Sequence, residues 1–176
     1  MSSEHPMSDA TGQRDQSSVA FQDEYPDDVA HCYGCGRLSD EGLHVRSFWD
    51  DGGEGTVARL LPDEKYTAVP GYVYGGLIAS FIDCHGTGTA AAAMARREAA
   101  AAEGDADGRA LPRFVTASLH VDYRAPTPMG VELVARGTVV EITDRKVVTD
   151  ITLQAAGITV ATGRVVAVRM PEGLLD

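Results

Sequence analysis

The chain has 176 residues, 44% hydrophobic and 23% charged, which is enough for one domain with a proper core. Its net charge is −11, from 26 acidic and 15 basic residues, which argues against nucleic acid and anionic membrane as general partners. No apolar run approaches the roughly 20 residues of a membrane-spanning helix.

Residues 1–24 are rich in Ser, Asp, Gln and Gly and poor in large apolar groups, and they read as a disordered tail. Residues 25–176 read as one domain. The N-terminus lacks the basic start and apolar segment of a signal peptide, and three cysteines are an odd, loosely spaced set. A cytoplasmic protein with reduced thiols is therefore expected. Cys32-x-x-Cys35 invites a zinc reading, with His31 beside it as a third ligand. A structural zinc site takes four ligands, however, and the chain has no second Cys-x-x-Cys and no His-x-x-x-His. A tight turn with small buried side chains and no metal is the expectation. A redox role fits less well, because no thioredoxin-like strand–helix context surrounds the pair.

Leu43 to Trp49 and Gly55 to Leu61 read as two strands joined by the acidic turn Asp50-Asp51-Gly52-Gly53. Lys65 to Tyr72 is a loop. Pro70 to Ala93 then carries the most information. A glycine pair, Gly75 and Gly76, precedes the apolar run Leu77, Ile78, Phe81 and Ile82 at helical spacing, so a long helix is expected from about Gly75 to before Gly104. Its first N–H groups are free of intrahelical partners and suit a developing negative charge. Asp83 interrupts the apolar run. As a plain helix residue it is solvated or hydrogen-bonded. As a functional one it is a general base or nucleophile tuned by an apolar wall. Gly75 and Asp83 are eight positions apart, roughly 12 Å along a helix axis. If both act on one carbonyl, two antiparallel copies of the helix must supply them, and the site lies between subunits.

Gly86 to Ala91 also fits the dinucleotide pattern G-x-G-x-x-A, which supports a lesser alternative, a dinucleotide-binding oxidoreductase. Its context is wrong, because a parallel sheet needs alternating helices and roughly the last 55 residues contain no helical pattern. No nicotinamide, flavin or other cofactor is expected. If Gly86 and Gly88 are helical, each costs about 1 kcal/mol relative to Ala, which points to close packing. His85 points away from Asp83 and reads as a packing or surface residue. Gly104 to Gly108 is a flexible connection. Phe114 to Tyr123, Val131 to Ile142, Lys146 to Ala155 and Ile158 to Arg169 are long β-branched runs separated by turn residues. His120 and Asp122 share a strand face, with a core or interface role. No G-x-S-x-G elbow is present. The pattern is α+β: an antiparallel sheet curled around one long central helix.

Tyr74-Gly75-Gly76, six residues and then Asp83 resembles the His-Gly-Gly...Asp signature of hotdog-fold thioesterases of the PaaI-like acyl-CoA thioesterase family. The turn Cys32 to Gly36, the pair Gly42-Leu43 and the stretch Thr116 to Pro128 are similar to segments of that family in the same order, so the resemblance covers roughly residues 31 to 170. Two positions depart from it: Tyr74 stands where the family has His, and Ala68 where some relatives have Asn. The resemblance implies an acyl-CoA thioesterase that hydrolyses a small or medium acyl or aryl thioester and works as a homodimer or a dimer of dimers (homotetramer). It implies Gly75, Asp83 and Thr116 as catalytic residues, with the Thr116 hydroxyl holding water. Tyr74 and Gly76 would line the substrate site. On charge alone, Arg124, or Arg96 and Arg97, would meet the CoA phosphates. A non-catalytic acyl-CoA binding or sensing protein is the alternative.

Overall fold

The computed structural model describes residues 19–102, 111–171 and 173. The expected tail up to residue 18 and the connection Gly104 to Gly108 lie outside them. The elements are β1 (Ser47–Trp49), β2 (Thr56–Leu60), helix α1 (Gly75–Ala101), β3 (Phe114–Tyr123), β4 (Leu133–Ile142), β5 (Lys146–Ala155) and β6 (Ile158–Arg169). All six strands form one antiparallel sheet in the order β1-β2-β4-β5-β6-β3. The β-branched runs give the long strands, and Ala156 and Gly157, both at positive φ, form the tight turn that pairs β5 with β6. One sheet packed against one long helix is the expected α+β arrangement.

The helix is buried over most of its length because the sheet wraps it. Leu77, Ile78, Phe81 and Ile82 form the apolar stripe, and the small residues from Gly86 to Ala92 let the strands come close. A Cβ on Gly86 would stand 2.5 Å from Val165 Cγ2, and one on Gly88 would stand 2.6 Å from Gln22 Nε2. The branched Val165 side chain at Gly86, and the Gln22 amide that Ser47 holds at Gly88, stand close to the helix backbone, which explains the place of the two glycines in a helix. This overturns the dinucleotide alternative. The G-x-G-x-x-A run is the buried middle of α1, and Leu77 to Ile82 is helix rather than the strand that a phosphate-binding turn must follow.

Two boundaries differ from the sequence expectation. Residues 19–24 are not tail: Phe21–Glu24 is a 3₁₀ turn with Phe21 and Gln22 buried. Phe21 meets Trp49 edge-to-face, with ring centroids 5.4 Å apart, and Gln22 Oε1 accepts from the Ser47 N–H at 2.8 Å. Composition missed a segment held by one aromatic ring and one amide. The first strand is also shorter than expected. The Leu43 and Val45 N–H groups donate to Tyr33 O and Gly34 O instead of to β2, so this segment pairs with the cysteine turn.

Candidate active site

At the start of α1, Tyr74 is the N-cap and offers no side-chain cap. The first helical N–H groups have no partner within the helix, and glycine keeps Cβ atoms away from them. The two glycines look into different hollows. Gly75 lines a groove of about 350 Å³ with Tyr123 and Arg124, and the Tyr123 hydroxyl donates to Gly75 O at 2.8 Å. Gly76 lies under the Tyr74 ring, where a Cβ would collide with the ring. On that side Tyr33, Tyr66 and Tyr74 border a hollow of about 240 Å³.

Two turns further along, Asp83 is half-buried. The Thr116 hydroxyl, from edge strand β3, donates to Asp83 Oδ1 at 2.5 Å. Burial pushes the Asp83 carboxyl above its ordinary value. The Thr116 hydrogen bond and the Arg113 guanidinium oppose this, while the nearby Cys32 sulfur adds to it. The result is a carboxylate that is a stronger base than a solvated Asp yet is held in one orientation. The ladder between β3 and β6 shifts register between Thr116 and Ser118, at the point where this hydroxyl turns to Asp83.

The fold therefore joins Asp83 and Thr116, which are 33 positions apart in sequence. It leaves Gly75, Gly76 and Tyr74 two helical turns away on the same chain. Arg124 shares the groove with Gly75 and is tied to Asp122 at 3.0 Å. Arg96 and Arg97 are engaged at the far end of α1. Arg96 stacks on Trp49, 3.3 Å from the ring centroid, and Arg97 donates to Asp144 at 2.7 Å. Roughly 30 Å of helix separates them from Gly75. His120 and Asp122 form an exposed pair at 3.4 Å. His85 is fully buried, with Nδ1 2.9 Å from Ser47 Oγ and Nε2 3.3 Å from Thr56 Oγ1. Burial lowers its pKa to about 4, so it is a neutral core residue, in line with the packing reading.

Sequence reasoning missed Cys84. It follows Asp83 on α1 and lies against the Cys32–Gly36 turn, so that the sulfurs of Cys32, Cys35 and Cys84 all lie within 4.8 Å of one another. No spacing rule joins Cys84 to a pair about 50 residues earlier. The nearest signal is Gly34, whose missing Cβ leaves the room that Cys84 Sγ occupies.

The sequence profile of the thioesterase superfamily matches residues 70–162, from the groove and α1 into β6. A thioesterase superfamily protein from Shewanella loihica PV-4 is 48% identical, with a TM-score of 0.60 over 82% of this chain and 98% of that one. Two more distant solved structures share the fold, a long helix wrapped by an antiparallel sheet, known as the hotdog. They are the PaaI protein from the phenylacetic acid degradation operon of E. coli (18% identity, TM-score 0.53, 67% and 74% of the two chains) and a Streptococcus mutans UA159 protein bound to acetyl CoA (16%, 0.52, 66% and 82%). No curated protein matches the chain.

Proposed function

Because the chain belongs to the thioesterase superfamily, we propose that it is an acyl-CoA thioesterase that hydrolyses small or medium acyl or aryl thioesters to free acid and CoA at a site shared by two subunits. The observation that carries this is the Asp83–Thr116 pair: a half-buried carboxylate, raised in basicity and fixed by a hydroxyl, at the sheet edge. In the reaction the Gly75 N–H of one subunit polarises the thioester carbonyl, and Asp83 of the other takes a proton from water as the water oxygen attacks the carbonyl carbon. The tetrahedral oxyanion collapses, the C–S bond breaks, and the proton held by Asp83 passes to the departing CoA sulfur. A positioned oxyanion donor of this kind typically contributes about 2.7–4 kcal/mol. Thr116 holds Asp83 and the attacking water in register. Tyr74, with Tyr33 and Tyr66, gives the acyl group an aromatic wall, and Arg124 at the mouth of the groove meets a CoA phosphate.

A binding-only reading is favoured by the departures at Tyr74 and Ala68. The exposed Tyr74 ring folds over Gly76, and Tyr74 stands at the sequence position where the family signature has His. A turnover assay over an acyl-CoA panel, reading released thiol, separates the two. Hydrolysis that falls about 10²–10⁴-fold in Asp83→Asn, with analogue binding retained, is the expected result. Tight binding without turnover on any acyl-CoA gives the binding reading instead. Hydrolysis at the parental rate in Asp83→Asn removes Asp83 from the mechanism.

A further inference from the structure

Beside the proposed site, the three thiols of Cys32, Cys35 and Cys84 converge where the Cys32–Gly36 turn docks on α1. Cys32 Sγ and Cys84 Sγ are 4.0 Å apart, and all three sulfurs fall within 4.8 Å of one another. A tetrahedral zinc ion with Zn–S of about 2.3 Å sets its sulfurs about 3.8 Å apart. The observed spread closes on that geometry with small side-chain movement. Cys35 and Cys84 are buried and Cys32 is half-buried, so the cluster is walled on the protein side and open on the Cys32 side.

The turn itself is shaped to present sulfur. The Gly36 N–H donates to Cys32 O at 2.7 Å, which closes the turn and sets Cys32 and Cys35 on the side that faces α1. A Cβ on Gly36 would sit 2.5 Å from Cys32 N, and one on Gly34 would collide with Cys84 Sγ. Both glycines are therefore needed for the turn to close on the helix. Electrostatics completes the arrangement. Arg113 lies alongside with its Nη1 buried and lacking a hydrogen-bond partner among the described residues. Three thiolates and a divalent ion carry one net negative charge, which one guanidinium balances.

We propose that Cys32, Cys35 and Cys84 form a zinc-class metal site with a fourth position open to water or another exogenous ligand, clamping the N-terminal turn to helix α1. His31 is exposed and lies outside the cluster. On binding, the metal replaces the thiol protons of Cys32, Cys35 and Cys84, and these protons pass to solvent. Tyr33, between the two turn cysteines, borders the aromatic hollow, so the clamp fixes one wall of that hollow against α1.

The test uses the full chain, purified under reducing conditions without added chelator, and needs no activity measurement. Elemental analysis is expected to find one zinc per chain. The metal-stripped protein titrated with Co²⁺ is expected to give thiolate-to-cobalt charge transfer and the strong visible bands of a tetrahedral site. Cys84→Ser is expected to lose the stoichiometric metal and the charge-transfer band. The cobalt spectrum of the parent keeps the test valid even if that variant misfolds. Parent protein with no bound zinc and no cobalt charge transfer overturns the proposal. So does full zinc in a folded Cys84→Ser variant, or a disulfide within the cluster as the form isolated from reducing buffer.

Discussion

At Asp83 two influences oppose each other: burial favours the neutral acid, while the Thr116 hydroxyl and Arg113 favour the anion. Burial wins, so the folded state holds the Asp83 proton more tightly than the unfolded state does. The sign follows from linkage. Stability assigned to Asp83 falls as pH rises from the ordinary value of 3.8 through the raised folded value, and at neutral pH the ionised group is a net liability. Asp83→Asn keeps an acceptor for Thr116 and removes the charge. It is expected to match or exceed the parent in urea denaturation at pH 7, with the difference vanishing below the ordinary value, while the activity loss stated above remains. A variant less stable than the parent at pH 7 makes Asp83 a structural acceptor. His85 works in the other direction. Its folded pKa is about 4 against an ordinary 6.5, because burial disfavours the imidazolium. As pH falls through that window the unfolded state gains a proton that the folded state refuses, and stability drops by about 3 kcal/mol. His85→Gln is expected to flatten this acid limb in a denaturation series from pH 7 to 4. An unchanged slope assigns the acid sensitivity elsewhere.

At the scale of the element, α1 violates helix propensity for the sake of approach to the sheet. Gly86 faces Val165, whose branched side chain stands on a strand paired on both sides, so neither partner yields easily. Gly86→Ala gains about 1 kcal/mol of helix propensity. It also forces a methyl to within 2.5 Å of Val165 Cγ2, and such overpacking costs about 1–3 kcal/mol. Net destabilisation is expected in urea denaturation. A rise in stability would mean that the helix and β6 have room to separate.

For the whole molecule, the open question is what covers β3. This ten-residue strand ends the sheet, its residues from Thr116 to His120 are exposed, and Leu119 and Tyr123 are 38% and 54% accessible. A long, unprotected edge is a template for pairing with another chain. The roughly 12 Å along α1 between Gly75 and Asp83 gives the same answer from chemistry, since one thioester reaches both only if two helices supply them. Light scattering is expected to find at least twice the chain mass at working concentration. A particle of single-chain mass throughout would remove the shared site and the mechanism built on it.

The sequence alone determined the helix, its buried stripe and the four long strands, because those signals are local. Leu77, Ile78, Phe81 and Ile82 repeat at helical spacing, β-branched runs stop at turn residues, and Ala156-Gly157 closes a hairpin. It also marked Asp83, since a carboxylate in an apolar run is anomalous wherever the chain goes. Only the tertiary structure decided what Asp83 touches, because Thr116 reaches it through strand pairing and no local pattern encodes that distance. The same holds for Gln22 and Phe21, which look like tail until Ser47 and Trp49 arrive beside them. It holds most plainly for Cys84. Two cysteines in a turn mark no cluster by themselves, and the third sulfur comes from a helix that begins 40 residues after Cys35 and is pressed onto the turn by the packing of the core.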